Sequence, residues 1–292
     1  MLHVGLILYS VRQAMEKDPL GVVAQVARMG YRNIEVCNHH ADTDNGIGFG
    51  VEAQPLREIF DSYGSRVVSA HIYPFDQCDT SAVLAYQRVL GNRNIVNPMD
   101  RFETYDILMQ KCEYYNRMGC LCRDEGFQYL YHNHNQEFRT FNGKFILDYI
   151  VENTDPDCVG LELDTFWVMR AGLDPVEMLR HYGKRVKLIH QKDFARDALV
   201  PINTIGITPE QRETGSEFSQ RPAPWAMEEG RTAFTEIGTG IMDIQSIINE
   251  ANASTDATHI ILEQDATRMP TELDSIARSM EAFRRFEGIS WD

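Results

Sequence analysis

Eight short, largely apolar runs alternate along the chain with longer amphipathic stretches, and this alternation limits the possible folds more than any other feature of the sequence. Several runs are almost continuously apolar, which is typical of strands in a parallel sheet buried on both faces. Eight strand–helix units of about 36 residues predict a closed (β/α)8 barrel rather than a doubly wound open sheet, which usually has fewer units. The predicted strands are Val4–Tyr9, Asn33–Cys37, Arg66–Ile72, Asn94–Val96, Gln128–His132, Val159–Asp164, Val186–His190 and Thr258–Glu263.

The stretches between the strands predict helices, because apolar residues recur in them at three- and four-residue spacing. An Asp-Pro pair opens two of them, at Asp18 and Asp174, as expected for an N-cap followed by the first helical residue. Gly30 and Gly183 stand where these two helices should end. The predicted helices are Asp18–Met29, Gln54–Tyr63, Thr80–Leu90, Tyr105–Gly126, Phe145–Asn153, Asp174–His181, Asp243–Ala251 and Thr271–Phe286.

An unusually long connection, residues 195–235, separates the seventh predicted strand from the seventh helix. βα loops of this length are usually functional, so we interpret it as a lid or an interface arm, with a peripheral insertion as the alternative. It contains Pro201, Pro209, Pro222, Pro224 and Trp225. The chain is accordingly predicted to be one barrel domain, residues 1–292, whose surplus length lies mostly in this insertion.

Charge and composition disfavour several classes of partner. Lys and Arg number 28 against 43 Asp and Glu, a formal charge of −15, and no basic run offers a surface for nucleic acid or for an anionic membrane. The apolar stretch at the N-terminus is too short for a signal peptide, and no later run reaches the length of a membrane span. The six cysteines are scattered without a CxxC pair, which favours free thiols and a cytoplasmic location.

Polar residues at the ends of the predicted strands are the candidates for a functional site, because the active site of a (β/α)8 barrel lies at the C-terminal ends of its strands. The sixth, seventh and eighth strands end in Asp164, His190 and Glu263. Such carboxylate and imidazole donors suit Mn²⁺, Mg²⁺, Co²⁺ or Zn²⁺. Further polar or aromatic residues near strand ends are Arg12, Glu35, His39, His40, His71, His132, His134, Glu137, Trp167 and Lys192.

Several blocks of the sequence resemble the xylose isomerase-like TIM barrels, a family of sugar isomerases, epimerases and inosose dehydratases. The resemblance implies a single (β/α)8 TIM barrel, here with a long loop after strand 7, that binds one divalent ion, with Mn²⁺ as first choice. It runs from about residue 4 to residue 286, apart from 195–235. The blocks are GLILYSVRQ, GYRNIEV, YHNHNQEF, GLELDTFWVMRAGLDPVEML, VKLIHQKDF, EIGTGIMDI and ILEQD.

The same resemblance implies a set of metal ligands: a Glu, an Asp, a His and a Glu after strands five to eight. It puts Asp164, His190 and Glu263 on the last three positions. At the end of strand five this chain has His132 in place of a glutamate. We expect Glu137, the nearest carboxylate, to be the fourth ligand, with His132 or His134 as alternatives.

The chemistry expected of such a site is proton abstraction next to a carbonyl. A hard cation that bridges a carbonyl and a neighbouring hydroxyl stabilises the developing enediolate, and a general base removes the proton. Lys192 is expected to hold a substrate oxygen or stabilise the enolate, with a buried ion pair to Asp193 or Glu162 as the alternative. The expected catalytic residues are His132, His134, Glu263 and Lys192. The expected substrate-binding residues are Glu35, His71, Trp167 and Arg12.

Several functions are compatible with such a barrel and its metal site. Our first expectation is a metal-dependent isomerase or epimerase acting on a neutral sugar, keto-sugar or cyclitol. The alternative is a lyase, either resembling inosose dehydratase or eliminating the aglycone of a 3-oxo-glycoside, in which case residues 195–235 could contact a small partner subunit. A DNA-repair enzyme of the endonuclease IV type is a remote alternative, which the acidic charge disfavours. The resemblance also implies a homo-oligomer.

Overall fold

Eight parallel strands form a closed barrel in the computed structural model, which describes residues 1–204 and 228–292. The strands are β1 (Leu2–Ile7), β2 (Asn33–Asn38), β3 (Arg66–Ile72), β4 (Asn94–Asn97), β5 (Gln128–His132), β6 (Val159–Asp164), β7 (Val186–Gln191) and β8 (His259–Leu262). Strand β1 pairs in parallel with both β2 and β8, so that Gly5 lies opposite Asn33 on one side and Ile261 on the other. This closure confirms the predicted (β/α)8 barrel and excludes the open sheet.

Among the described residues, eight helices of at least seven residues connect and flank the strands. They are α1 (Pro19–Met29), α2 (Ala53–Tyr63), α3 (Thr80–Leu90), α4 (Tyr105–Asp124), α5 (Ile146–Glu152), α6 (Pro175–Tyr182), α7 (Ile244–Ser254) and α8 (Glu272–Phe283). Both predicted Asp-Pro starts are confirmed, since the Asp18 carboxylate accepts from the backbone N–H of Gly21 and that of Asp174 from Val176. Gly30 ends α1 in the left-handed conformation, at φ 110°. Among the described residues, no helix combines the length and apolarity that a membrane crossing requires.

The alternation of side chains along β6 explains how carboxylates come to lie inside the barrel. Val159, Leu161 and Leu163 pack into the main apolar core between the sheet and the helices. Because successive side chains of a strand point to opposite faces, Glu162 and Asp164 face the barrel interior.

The barrel interior has an apolar layer with a polar layer above it. The apolar layer comes from strand residues that form a cluster separate from the main core, among them Leu130 of β5, Leu188 of β7 and Ile261 of β8. His132, His190 and Glu263 each stand two positions further along the chain than one of these apolar residues, and therefore on the same face. The strand period and the parallel pairing of the strands thus place these three polar side chains in one layer above the apolar one.

Two of the differences from the prediction concern segments that directly follow barrel strands. The first strand was predicted to continue to Tyr9 but ends at Ile7, because Leu8–Val11 form a 3-10 turn whose apolar residues look the same as strand residues in the sequence. A short helix, Thr165–Arg170, begins directly after β6, and its first turn is capped by Asp164, which accepts from the backbone N–H of Trp167. A strand-end residue thereby serves as an N-cap as well.

The long connection at residues 195–235 lies largely outside the described residues, and so do Pro209, Pro222, Pro224 and Trp225. At its described ends, Asp193–Phe194 pair in antiparallel fashion with Phe234–Thr235. The pairing brings Phe194 and Phe234 into one apolar cluster with Phe166 and Trp167. The assignment of this connection to a lid or an interface arm stays a prediction.

Candidate active site and metal centre

Four side chains from four neighbouring strands converge at the C-terminal mouth of the barrel. They are His132, Asp164, His190 and Glu263, and one ligand atom from each lies within 4.8 Å of those of the others. We call this set the outer group. His190 Nδ1 lies 2.8 Å from Glu263 Oε2, and His132 Nε2 lies 3.9 Å from Asp164 Oδ2. Three of the four residues are those predicted from the strand ends.

A second set of side chains lies directly beside the outer group, deeper in the barrel. One carboxylate oxygen, Glu162 Oε2, is 2.7 Å from His71 Nε2, 2.9 Å from His132 Nδ1 and 3.2 Å from His190 Nε2. Glu35 Oε1 is 2.8 Å from His190 Nε2 and 3.1 Å from His71 Nε2. We call Glu35, His71 and Glu162 the inner layer, and all three are buried.

Glu35 and His71 were predicted to bind substrate, and the structure places both in this inner layer. The Oε2 atom of Glu35 accepts a hydrogen bond from the Ser69 hydroxyl, while its Oε1 atom faces the two imidazoles. Glu162 was not singled out as a functional residue by the sequence analysis. The strand period could have identified it, because it stands two positions before Asp164 on the same face of β6.

The structure does not bring Glu137 to the outer group. Its carboxylate is buried and accepts from the Tyr131 hydroxyl at 2.7 Å, the backbone N–H of His134 at 2.8 Å and the Gln136 amide at 3.2 Å. The physical reason is the 3-10 turn Gln136–Phe138, which follows β5 and directs this side chain back onto the strand end. His132, one of the two alternatives to Glu137 that the sequence left open, is the β5 residue in the outer group.

Lys192 is buried beside two members of the outer group, two positions after His190. Its ammonium contacts the carboxylates of both Asp164 and Glu263. A buried ion pair of Lys192 with Asp193 or Glu162 was the alternative predicted from the sequence, but Asp193 instead accepts from the backbone N–H groups of Gly238 and Gly240. Burial alone would lower the pKa of Lys192, yet the two carboxylates outweigh it and raise that pKa above its ordinary value.

The pKa values of the histidines at the mouth are shifted in opposite directions, depending on whether burial or nearby carboxylates have the larger effect. Burial lowers the pKa of His132 to about 4 and also lowers that of His134, so both are neutral at pH 7. For His190, burial would lower the pKa, but the carboxylates of Glu162 and Glu35 outweigh it and raise the pKa well above its usual range. The neutral rings can accept a proton, whereas His190 is already protonated where no ion competes for its nitrogen.

The carboxylates of the mouth differ in the direction in which their pKa values are shifted. Burial raises the pKa of Asp265 to about 7, while Lys192 and His190 outweigh burial and hold that of Glu263 well below its usual value. The carboxylate oxygen Glu162 Oε1 has no hydrogen-bond partner among the described residues. A buried carboxylate oxygen without a partner, beside a set of imidazole and carboxylate donors, fits a divalent metal.

Two further residues predicted for substrate binding border the mouth. Trp167 is held against the His134 ring at 5.3 Å between centroids, and the Lys192 ammonium lies 5.7 Å from the centroid of its ring. Arg12 donates to the backbone carbonyl of Asp265 at 2.6 Å and stacks 4.1 Å above the ring of Tyr9. The Trp167 side chain therefore forms one wall beside the catalytic candidates, and Arg12 ties β1 to the end of β8.

A cavity of about 350 Å³ opens beside Arg12 at the ends of β1 and β2. Its lining combines aromatic, cationic and backbone surfaces, a mixture that suits a polar ring with apolar faces. The lining residues are Leu8, Tyr9, Arg12, Glu16, Cys37, His39, His40, Ile47, Gly48 and Phe49.

Comparison with known proteins gives a family and a fold. Residues 113–286 match the family described as xylose isomerase-like TIM barrel. The chain is 33% identical over 84 residues to an inosose dehydratase of Geobacillus kaustophilus, covering 29% of this chain and 27% of that protein. It is 28% identical over 134 residues to an inosose dehydratase of Clostridium tetani, covering 46% and 39%. The chain thus spans less than half the length of these curated relatives.

Comparison with solved structures finds a similar fold over almost the whole chain. A sugar phosphate isomerase/epimerase from Parabacteroides distasonis superimposes with a TM-score of 0.75 at 22% identity, covering 99% of this chain and 96% of that one. At this level of identity the likeness shows the fold alone.

Proposed function

The chain belongs to the xylose isomerase-like TIM barrel family, and from that premise we propose that it is a divalent-metal-dependent enzyme that removes a proton next to the carbonyl of a neutral sugar, keto-sugar or cyclitol. The observation that carries the proposal is the outer group, four buried donors from four strands at the mouth of the barrel. An array of two imidazoles and two carboxylates matches the donors of a catalytic metal site.

We propose His132, Asp164, His190 and Glu263 as the residues that would hold the ion, with His132 in place of the sequence-predicted Glu137. Mn²⁺ is our first choice, with Co²⁺ and Zn²⁺ next, because two imidazole donors disfavour Mg²⁺. When bound, such an ion would supply Lewis acidity, which polarises the substrate carbonyl and makes the neighbouring C–H acidic.

His134 is our candidate for the general base. It lies next to the outer group, with its ring 5.2 Å from that of His132, and it is more exposed than His132. The lowered pKa keeps the ring in the unprotonated form that can accept a proton at pH 7. Trp167 orients this ring by packing against it.

Lys192 serves best as a fixed positive charge. Its raised pKa keeps the ammonium protonated, so it cannot act as the base. Placed between Asp164 and Glu263, it can stabilise negative charge that develops on a substrate oxygen as the proton leaves. The cavity beside Arg12 offers room for the part of the substrate away from the reacting carbons.

Once the proton has left, three outcomes are open to the same site. Its return to the opposite face gives epimerisation, its return to the neighbouring carbon gives isomerisation, and loss of a β-hydroxyl as water gives dehydration. Dehydration is the specific second candidate, because the curated relatives that match in sequence are named inosose dehydratase. Loss of an aglycone with the help of a partner subunit, a homo-oligomeric state and a cytoplasmic location stay predictions.

Exchange of a substrate C–H for C–D in D₂O tests the proposed function on several classes of substrate with one measurement. The protein is loaded with Mn²⁺, freed of excess ion, and incubated in D₂O with an inosose, a ketohexose and a 3-oxo-glucoside. We expect one C–H next to the carbonyl of at least one compound to be replaced by C–D in proton NMR spectra. A rearranged sugar with deuterium identifies an isomerase or epimerase, and loss of water identifies a dehydratase. The absence of exchange and of product with every compound would refute the proposal.

Paired substitutions on β5 and its following turn test which residue completes the metal site. We expect His132→Gln to weaken Mn²⁺ binding by more than about tenfold, because it removes a ligand nitrogen, and Glu137→Gln to change it by less than about threefold. Isothermal titration calorimetry of the metal-depleted protein measures both. The reverse order of the two effects would restore Glu137 as the ligand.

A further inference from the structure

The proposed function makes no use of the inner layer, Glu35, His71 and Glu162, although it contains two buried carboxylates. Such groups are costly to bury unless every charge and lone pair has a partner. Their partners are the rings of the outer group, the ring of His71 and, for Glu35, also the Ser69 hydroxyl. The free-energy cost of burying Glu35 and Glu162 is therefore offset by their contacts with the proposed ligands.

Each proposed ligand imidazole turns one nitrogen toward the inner layer and the other toward the mouth. His132 places Nδ1 2.9 Å from Glu162 Oε2 and Nε2 on the side of Asp164. His190 places Nε2 2.8 Å from Glu35 Oε1 and Nδ1 2.8 Å from Glu263 Oε2. In the neutral form that binds a metal, an imidazole has one N–H and one lone pair, so a carboxylate that accepts from the inner nitrogen leaves the lone pair on the outer nitrogen.

From this geometry we infer that Glu162 and Glu35 are positioning residues that hold the N–H groups of His132 and His190 inward and thereby present the outer nitrogens to a metal ion. The inference rests on the proposed function for the identity of the ligand. Glu162 acts on both rings, because its Oε2 atom lies within 3.2 Å of a nitrogen of each. Glu35 acts on His190.

His71 completes the inner layer by joining its two carboxylates. Its Nε2 atom lies 2.7 Å from Glu162 and 3.1 Å from Glu35, so a single N–H offsets their repulsion. The His71 ring is stacked on that of His190, with centroids 5.1 Å apart and an angle of 11° between the planes. This stacking limits rotation of His190, and the hydrogen bonds of the inner layer select its orientation.

The first test determines which ring nitrogen of His132 carries the proton in the metal-free protein. This measurement does not depend on enzymatic activity. Long-range ¹H–¹⁵N NMR of the histidine rings distinguishes a protonated Nδ1 from a protonated Nε2, and the His132→Gln variant assigns the signal. We expect the N–H of His132 on Nδ1 in the native protein. In Glu162→Gln, part of the population should move to the Nε2-protonated form. A native ring protonated on Nε2 alone would overturn the inference.

The second test is Mn²⁺ affinity and stoichiometry in Glu162→Gln and Glu35→Gln, measured by calorimetry on the folded proteins. We expect Glu162→Gln to weaken binding about 10- to 100-fold and Glu35→Gln to weaken it less, with one ion per chain throughout. The matched control is Glu236→Gln, since Glu236 is also a buried carboxylate but accepts from Thr267 and Ser275 rather than from a histidine. It should stay within about threefold of the native affinity.

The outcomes separate this inference from the proposed function. A native protein that binds no Mn²⁺ contradicts the proposed function, while the tautomer of His132 still decides whether Glu162 orients the ring. A native protein that binds Mn²⁺ while Glu162→Gln binds it equally well contradicts the inference alone. Two ions per chain, one of them lost in Glu162→Gln, would show that His71, His132, Glu162 and His190 form a metal site themselves and would also overturn it. If Glu162→Gln fails to fold, the native tautomer decides.

Discussion

Replacing Asp164 by asparagine is expected to lower turnover about 10³-fold, or ~4 kcal/mol of transition-state stabilisation. The variant keeps the size of the side chain and an oxygen that can cap the Thr165–Arg170 helix by accepting from Trp167. It removes the negative charge that faces Lys192 and the proposed ion. We therefore expect Mn²⁺ binding to weaken by more than about tenfold while the fold is retained.

A second aspartate offers a matched control for this substitution. Asp174 caps α6 by accepting from the backbone N–H of Val176, as Asp164 caps its own helix, but it lies outside the outer group. Asp174→Asn should leave both turnover and Mn²⁺ affinity within about twofold of the native values, because helix capping changes stability rather than chemistry. Full turnover of Asp164→Asn at native Mn²⁺ affinity would contradict the proposed metal site.

Replacing His134 by alanine is expected to lower kcat about 10²- to 10⁴-fold, the usual contribution of a general base. Metal binding should change little, because His134 is not in the outer group and its backbone N–H, which bonds to Glu137, is retained. Single-turnover measurements on the Mn²⁺-loaded variant, with the bound ion quantified, separate the two effects.

An exposed histidine provides the control for the loss of an imidazole. His181 on α6 pairs with Asp148 at 2.9 Å on the outside of the barrel, so His181→Ala should leave kcat unchanged. Recovery of part of the His134→Ala activity by added imidazole would support the role of base. Loss of bound metal with an unchanged rate per remaining ion would instead assign His134 to metal binding.

The alternation of apolar strands with amphipathic helices was sufficient to predict the barrel and the mouth at which a site should form. Asp164, His190 and Glu263 could be grouped from the sequence for a geometric reason: parallel strands of a barrel bring their carboxyl ends to one rim. Asp18 and Asp174 could be identified as helix N-caps because capping depends on residues close in the chain. These are local or periodic properties, and periodicity can be read from a sequence.

The fourth member of the outer group could not be predicted in the same way. Glu137 and His132 are five residues apart, and both residue types bind metals, but a 3-10 turn directs Glu137 to Tyr131 and away from the mouth. Lys192 likewise has carboxylate neighbours in the sequence, yet it pairs with Asp164 and Glu263 from other strands. Turn direction and the choice of partner depend on contacts between segments distant in the chain.

The sequence by itself therefore determined the architecture, the face of the barrel at which the candidate site lies and three of the side chains that meet there. Only the tertiary structure decided how those side chains are held. The inner layer of Glu35, His71 and Glu162 comes from three strands, β2, β3 and β6, which are separate in the sequence and converge only inside the closed barrel. The reason is physical: a strand's period sets which way each side chain points, whereas the partner it finds depends on the closure and register of the whole sheet.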